Sequence, residues 1–242
     1  MNFCSVSSNP GKTGTFFYTN AFRSLEIDST YTALQCRDLQ EIHQLVRSGF
    51  YSGISVSMPF KNQVHTLCTD LDASTFNGEF INTLKIDEAG RVKGFNTDLQ
   101  GVYSAISLLA PGEIAVYGDG AMGKLFSVIL AATSRSHQVF SRKKGNWHQR
   151  EMEVDNIINC TSIGMDGKSS PTESLDGVKF LVDLVLNAKK LENLATRHEI
   201  PYFSGMDFYL NVFKAQFSIY TDRELPEHVV NSIKSEWDNR AP

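Results

Sequence analysis

The sequence predicts an α/β protein of two domains, on three observations. Short strand-like runs alternate with helix-like stretches, the pattern of parallel sheets covered by helices. The rhythm restarts after Pro111-Gly112. A glycine-rich turn, Gly118-Asp-Gly120-Ala-Met-Gly123, stands between the first strand and the first helix of the second half. The expected domains are 1–101 together with 206–242, and 102–205, with the joint in the helix that follows Asp98 or at its end.

In the first half, Phe3–Ser7 reads as a strand and Thr15–Ser24 as a helix. Ser29–Leu34, rich in Thr and Tyr, reads as a strand. Leu39, Ile42, Leu45 and Val46 recur at helical spacing behind Asp38, an N-cap residue. Gly53–Met58 reads as a buried strand stopped by Pro59. Residues 81–95 read as a hairpin around Glu88-Ala89-Gly90. Asn96-Thr97-Asp98 opens a helix carrying Val102, Ala105, Ile106 and Leu109 on one face.

In the second half, strand Ile114–Tyr117 leads through the glycine turn to a helix with Leu125, Phe126 and Ile129. Strands follow at Gln138–Ser141, Ile157–Cys160 and Phe180–Leu186, then a helix with Leu191, Leu194 and Ala195, then a short strand at Tyr202–Phe203. Two helices, Asp207–Tyr220 and Glu227–Trp237, end the chain. Phe208, Phe213 and Phe217 sit at core spacing, and His43 and His65 on helix surfaces.

Composition narrows the function classes. The 242 residues are 41% hydrophobic and 21% charged, with net charge −4. No basic excess suggests nucleic acid or an acidic membrane as a partner. No apolar run approaches the roughly 18 residues that would span a bilayer, and the N-terminus has no secretory pattern. Cys4, Cys36, Cys68 and Cys160 are scattered, without the clustering a zinc site needs. The expectation is a cytoplasmic chain with reduced thiols, a small-molecule ligand and no metal, as a monomer or homodimer.

Two regions carry chemistry. In G-x-G-x-x-G between strand and helix, the first glycine makes the tight turn and the second admits a pyrophosphate. The third lets helix and strand pack closely. Ligand-binding positions there are Gly118, Gly120, Ala121, Met122 and Gly123. The next strand ends in Ser141-Arg142-Lys143-Lys144, not in the acidic residue that binds a ribose 2′-hydroxyl, so a 2′-phosphate and NADP are favoured. The second region, residues 53–98, gathers Ser55, Ser57, Lys61, Asn82, Asn96, Thr97 and Asp98 at strand ends and loops. Lys61 and Asp98 across a cleft form an acid–base pair, with Asp98 holding the lysine and a substrate hydroxyl in register.

These blocks resemble the shikimate dehydrogenase family. Ser55-Val-Ser-Met-Pro-Phe-Lys61 is similar to its N-V-T-x-P-x-K, and Ile81-Asn-Thr-Leu84 to its A-V-N-T-L. Gly94-Phe-Asn-Thr-Asp-Leu-Gln-Gly101 matches its G-x-N-T-D-x-x-G. Ser141-Arg142 stands at its N-R-T, Asn159–Met165 is similar to its N-x-T-x-x-G-M, and Val182–Asn187 to its D-x-x-Y-N strand. The resemblance implies a substrate domain onto which the C-terminal helices pack back, and a Rossmann-like NADP domain. It implies reversible hydride transfer between NADPH and a cyclic hydroxy-ketone acid such as 3-dehydroshikimate or a related cyclitol, in the shikimate pathway of aromatic amino acid biosynthesis. By position, Lys61 is the general acid/base, and Asp98, Asn82 and Ser57 contact substrate. Ser141 and Arg142 hold the 2′-phosphate, and Leu184 and Gly205 line the nicotinamide.

The departures point to a divergent subgroup. Lys12-Thr-Gly-Thr15 replaces the family's S-x-S-P, leaving Thr15 and Lys12 for an anionic group. Val212 replaces the substrate glutamine, with Gln216 one helical turn on as a substitute, and Leu186 replaces the substrate-side tyrosine. Only 14 residues separate Ser141 from Asn156, too few for the usual helix and further strand, so the adenosine side is expected to be trimmed. Two alternatives stay open: an acid–base enzyme for dehydration, isomerisation or cyclisation without hydride transfer, and a non-catalytic ligand-binding paralogue.

Overall fold

The computed structural model describes residues 1–186 and 188–239. Asn187, which closes the last motif above, and 240–242 of the C-terminal segment lie outside the described residues. The chain divides into two compact units, Met1–Asp98 with Phe213–Pro242, and Leu99–Val212. Among the described residues, no helix is long and apolar enough to cross a membrane.

The first unit holds β1 (Asn2–Ser7), α1 (Thr13–Ser24), β2 (Thr30–Gln35), α2 (Leu39–Arg47), β3 (Gly53–Val56), β4 (Asp70–Leu71), β5 (Thr83–Ile86) and β6 (Val92–Phe95). The strands form one mixed sheet in the order β2-β1-β3-β5-β6-β4. β1 pairs in parallel with β2 and β3, while β5 runs antiparallel to both β3 and β6. Period-two alternation gives the sheet two chemically different faces. Cys4, Val6, Ile54, Val56, Leu84 and Val92 build an aliphatic core with Ile42 and Val46 of α2. Phe3 lies on the other face, stacked on Tyr220 with ring centroids 4.9 Å apart. Tyr31 stacks on Tyr18 of α1 at 4.1 Å.

Asp38 caps α2 by accepting from the Glu41 amide, as its sequence position predicts. β3 ends at Val56, two residues early, because the Ser57 carbonyl accepts from Phe60 N–H and starts a turn. β4, two residues paired in parallel with β6, is absent from the sequence reading, since nothing in Asp70-Leu71 alternates. The C-terminal helices pack on this unit: Phe213 meets Phe17 and Tyr18 of α1, and Trp237 meets Phe16 and Phe17.

The second unit begins with α3 (Asp98–Leu108), whose first residue still belongs to the first unit. It continues through β7 (Ile114–Tyr117), α4 (Ala121–Ala132), β8 (His137–Phe140), β9 (Asn156–Asn159), β10 (Phe180–Asp183), α5 (Lys189–Arg197) and β11 (Tyr202–Phe203). The unit boundary near its end falls inside α6 (Gly205–Thr221), and α7 (Glu227–Asp238) completes the chain. All five strands are parallel, in the order β11-β10-β9-β7-β8. The chain goes one way from β7 to β8 and the other way from β9, so a topological switch point lies between β7 and β9.

The expected trimming is present. β8 is an edge strand, and only a 3₁₀ turn, Trp147–Gln149, lies between it and β9. The Asn146 side chain stands in for a missing strand at that edge. Its Nδ2 donates to the Val139 carbonyl at 2.9 Å and its Oδ1 accepts from Ser141 N–H at 3.0 Å. β10 ends at Asp183, three residues before the expected end at Leu186, because the Asp183 carboxylate takes the Val185 N–H at 3.0 Å.

Candidate functional site

In the first unit, the end of β3 turns through a 3₁₀ segment, Phe60–Asn62, that carries Lys61. Phe60 is buried in the aliphatic core, which fixes the turn and leaves the lysine amine beside the start of α3. There Lys61 Nζ donates to Asp98 Oδ2 as an ion pair, with 19% and 11% of the two side chains exposed. Asp98 occupies the first turn of α3, where the helix dipole favours a carboxylate.

Asn82 joins this pair through the backbone. Ile81 N–H donates to the Lys61 carbonyl, and Asn82 Oδ1 accepts from Thr97 N–H at 2.9 Å, Thr97 Oγ1 at 3.0 Å and Thr83 Oγ1 at 2.8 Å. A backbone N–H can only donate, so the amide oxygen must face Thr97. The Asn82 Nδ2 is thereby turned away, with no hydrogen bond to any described residue. Lys61, Asn82 and Asp98 are therefore brought together.

Ser57 is exposed, just past the end of β3. Thr15 lies in the first turn of α1, whose N-terminus has no side-chain cap. It hydrogen-bonds to no described member of the Lys61 group, and the preceding Gly14 packs on Tyr31.

Gln216 stands elsewhere than its expected role. It is buried, and all four of its hydrogen-bonding positions are engaged inside the unit. Its Oε1 accepts from Tyr18 OH at 3.1 Å and Ser55 Oγ at 3.0 Å, and its Nε2 donates to Thr83 Oγ1 at 2.8 Å and to the Asn82 carbonyl at 3.3 Å. Ser55 Oγ also bonds the hydroxyls of Tyr31 and Tyr220, both at 2.8 Å. This buried network ties α1, β2, β3, β5 and α6 together and leaves Gln216 no donor or acceptor for a ligand. Sequence reading picked out Ser55 but missed the tyrosines, whose spacing reads as core.

In the second unit, Gly118 leaves β7 with φ +97°, a conformation that favours glycine. A Cβ on Gly123 would lie 2.0 Å from the Gly118 carbonyl oxygen, so only glycine lets α4 seat on the loop. Around Gly120 there is open space, and α4 has no side-chain cap on its first N–H groups. Ala121, Met122 and Gly123 thus present a polar, positively poled helix end beside an open glycine.

Tyr117 pairs with Phe140, which sets the turn after β8 next to this loop. Ser141 is buried and its Oγ accepts from Lys144 N–H at 3.0 Å, which closes a turn carrying exposed Arg142, Lys143 and Lys144. Leu184 follows β10, and Gly205 packs on the backbone of Val185, where a Cβ would lie 2.6 Å from its carbonyl. The residues fit a dinucleotide: open space at the second glycine, N–H groups at the helix start without a side-chain cap among the described residues, and exposed cations at the turn after β8.

Comparison with known proteins adds relatives to this geometry. Residues 14–84 match the model of the shikimate dehydrogenase substrate binding domain. A shikimate dehydrogenase (NADP(+)) of Staphylococcus epidermidis is 24% identical over 247 residues, covering 89% of this chain and 91% of that one. The solved structure of a shikimate 5-dehydrogenase-like protein superposes with a TM-score of 0.83 at 21% identity, covering 97% and 96%. That of the Thermus thermophilus shikimate 5-dehydrogenase, in complex with NADP(H) and shikimate, does so at 0.81 and 18% identity, covering 98% and 99%. The solved structures establish a shared two-domain α/β fold with a Rossmann-like domain. The resemblance read from the sequence blocks is borne out: the chain is similar to shikimate dehydrogenases along most of its length, and its residues 14–84 match the model of their substrate binding domain.

Proposed function

We propose that this protein is an NADP-dependent oxidoreductase of the shikimate dehydrogenase type, reducing the ketone of a cyclic hydroxy-acid such as 3-dehydroshikimate or a related cyclitol. The observation that carries the reading is the Lys61–Asp98 ion pair held beside an Asn82 amide whose donors are free. The first unit is the substrate domain and the second the cofactor domain. NADPH, when bound, supplies the hydride to the ketone carbon. The Lys61 ammonium gives a proton to the ketone oxygen as the carbon–oxygen double bond becomes an alcohol, and the neutral amine takes it back in the reverse direction. Asp98 holds the lysine in register and accepts from a ring hydroxyl. Asn82 Nδ2 donates to another, and Ser57 adds a contact. Thr15 and Lys12, at the uncapped start of α1, take the carboxylate.

Gly118, Gly120 and the N–H groups of Ala121, Met122 and Gly123 hold the pyrophosphate. Ser141 and Arg142 hold the 2′-phosphate, and Leu184 and Gly205 the nicotinamide. Gln216 serves the site by fixing Asn82 and Thr83 rather than by touching substrate.

The test is NADPH oxidation, followed at the nicotinamide absorbance, with 3-dehydroshikimate and related cyclic ketones. Turnover should fall by about 10²–10⁴-fold in Lys61→Met, the range for a lost general acid. Absence of turnover on every ketone, together with absence of NADPH binding, would refute the proposal. Turnover of a related ring compound that ignores NADPH would move the protein to non-redox acid–base chemistry.

A further inference from the structure

One buried carboxylate of the second unit has no part in the function proposed above. Asp183 ends β10 with no exposed surface. Its Oδ1 accepts from Asn159 Nδ2 at 2.9 Å and from Val185 N–H at 3.0 Å. Its Oδ2, also buried, makes no hydrogen bond of ordinary geometry among the described residues, although the Tyr202 hydroxyl on β11 interacts with the carboxyl. A buried carboxylate so sparingly satisfied is costly, and an apolar residue would fill the place more cheaply. What the acid does there is visible in the bonds that lead away from it.

Asn159 ends the neighbouring strand β9, in register with Asp183, and is itself fully buried. Its Oδ1 accepts from Thr161 N–H at 3.1 Å and from Thr161 Oγ1 at 2.7 Å. Thr161 Oγ1 in turn accepts from Ile163 N–H at 3.1 Å. The Thr161 methyl and the Cys160 carbonyl form the wall behind Gly118, where a Cβ would lie 3.1 and 3.2 Å from them. A chain of contacts thus runs Asp183–Asn159–Thr161–Gly118 across β10, β9 and β7, at the carboxyl ends of three adjacent strands and over the switch point. The second bond of Asp183 Oδ1 turns the chain out of β10 at Val185, the residue between Leu184 and Leu186 whose backbone carries Gly205.

We propose that Asp183 is a positioning residue for the dinucleotide. By orienting Asn159, and through it Thr161, it holds the glycine loop in the form that receives the pyrophosphate. By taking the Val185 N–H it sets Leu184 and Gly205 for the nicotinamide. The inference rests on the NADP reading. The two bonds to Oδ1 define the requirement: an acceptor at that point, whether or not it is charged.

The experiment compares wild type, Asp183→Ala and Asp183→Asn, with Thr161→Val as a cut lower in the chain. NADPH affinity is titrated by fluorescence, KM is measured for NADPH and for the ketone, and amide hydrogen exchange of residues 117–124 is measured without cofactor. Asp183→Ala should raise the NADPH Kd and KM by about tenfold or more, leave the ketone KM within about twofold, and speed exchange in the glycine loop. Asp183→Asn, which keeps one acceptor oxygen, should restore both to within about threefold of wild type. Thr161→Val should weaken NADPH severalfold with Asp183 intact, and decides the matter should Asp183→Ala not fold. Wild-type affinity and exchange in Asp183→Ala or in Thr161→Val would overturn the inference, as would a failure of Asp183→Asn to restore what Asp183→Ala loses. Were the wild type to bind no NADPH, the proposed function would fall, while the exchange of 117–124 would still decide whether Asp183 orders the loop.

Discussion

Replacing Gln216 by leucine separates a structural tie from a substrate contact. Leucine has nearly the volume of glutamine, so the change leaves little cavity and removes four hydrogen bonds: to Tyr18, Ser55, Thr83 and the Asn82 carbonyl. Each net hydrogen bond contributes about 0.5–1.5 kcal/mol, which sums to about 2–6 kcal/mol. The lower half of that range is expected, because most partners keep other bonds. Ser55 retains Tyr31 and Tyr220, Thr83 retains Asn82 and Thr97, and the Asn82 carbonyl retains Val56 N–H. A loss of about 2–4 kcal/mol in a chain of this length lowers the melting temperature by roughly 4–16 °C. The assay is thermal unfolding followed by near-ultraviolet circular dichroism, which reads the packed tyrosines directly. The ketone KM, measured well below the transition, should rise only as far as Asn82 is released. A melting temperature within about 2 °C of wild type, with the ketone KM raised tenfold, would refute the reasoning and return Gln216 to the role of ligand.

Further outcomes follow from other sites. Gly123→Ala places a methyl 2.0 Å from the Gly118 carbonyl, so α4 or the loop must move; NADPH affinity should fall by about tenfold or more while far-ultraviolet circular dichroism stays unchanged. Arg142→Glu puts a carboxylate at the basic turn after β8 and should cost more affinity for NADPH than for NADH, which competitive titration of the two nucleotides will show. Burial raises the Asp183 carboxyl to about 6, above its unfolded value near ~3.9, so the folded state binds more protons than the unfolded state between those pH values. Stability attributable to this group should therefore fall as pH rises from about 4 to about 6, by on the order of 2–3 kcal/mol. Denaturant titrations across that range should show the slope in wild type and its removal in Asp183→Asn.

Much of the cofactor loop was legible in the sequence because its requirement is local. Gly118, Gly120 and Gly123 are spaced by the turn they make, the strand before is a short, wholly apolar run, and the helix after buries Leu125, Phe126 and Ile129 at helical spacing. The shortened link from Ser141 to Asn156 could also be counted, since a helix and a strand need a minimum length of chain. Other features were invisible for a physical reason. β4 is two residues long and exists only because β6 offers it a partner. The early end of β10 is set by a carboxylate reaching two residues forward, a geometry that hydrophobic pattern does not encode.

The same division holds for the sites. The sequence by itself determined which residue types stand at the strand ends, and so that Lys61, Asn82 and Asp98 were candidates for one group. Chemistry of that kind follows from identity and order along the chain. Tertiary structure alone decided which polar groups are spent and which remain to be used. Gln216 lies one turn from the expected ligand position, yet its amide is saturated by four partners that come from three distant segments, α1, β3 and the start of β5. Asn82 is fixed by Thr97 so that its amide N–H donors are left over, and Asp183 is buried where its neighbours on β9 and β11 can use it. Hydrogen-bond satisfaction is a property of three-dimensional neighbours, and sequence spacing carries no account of it.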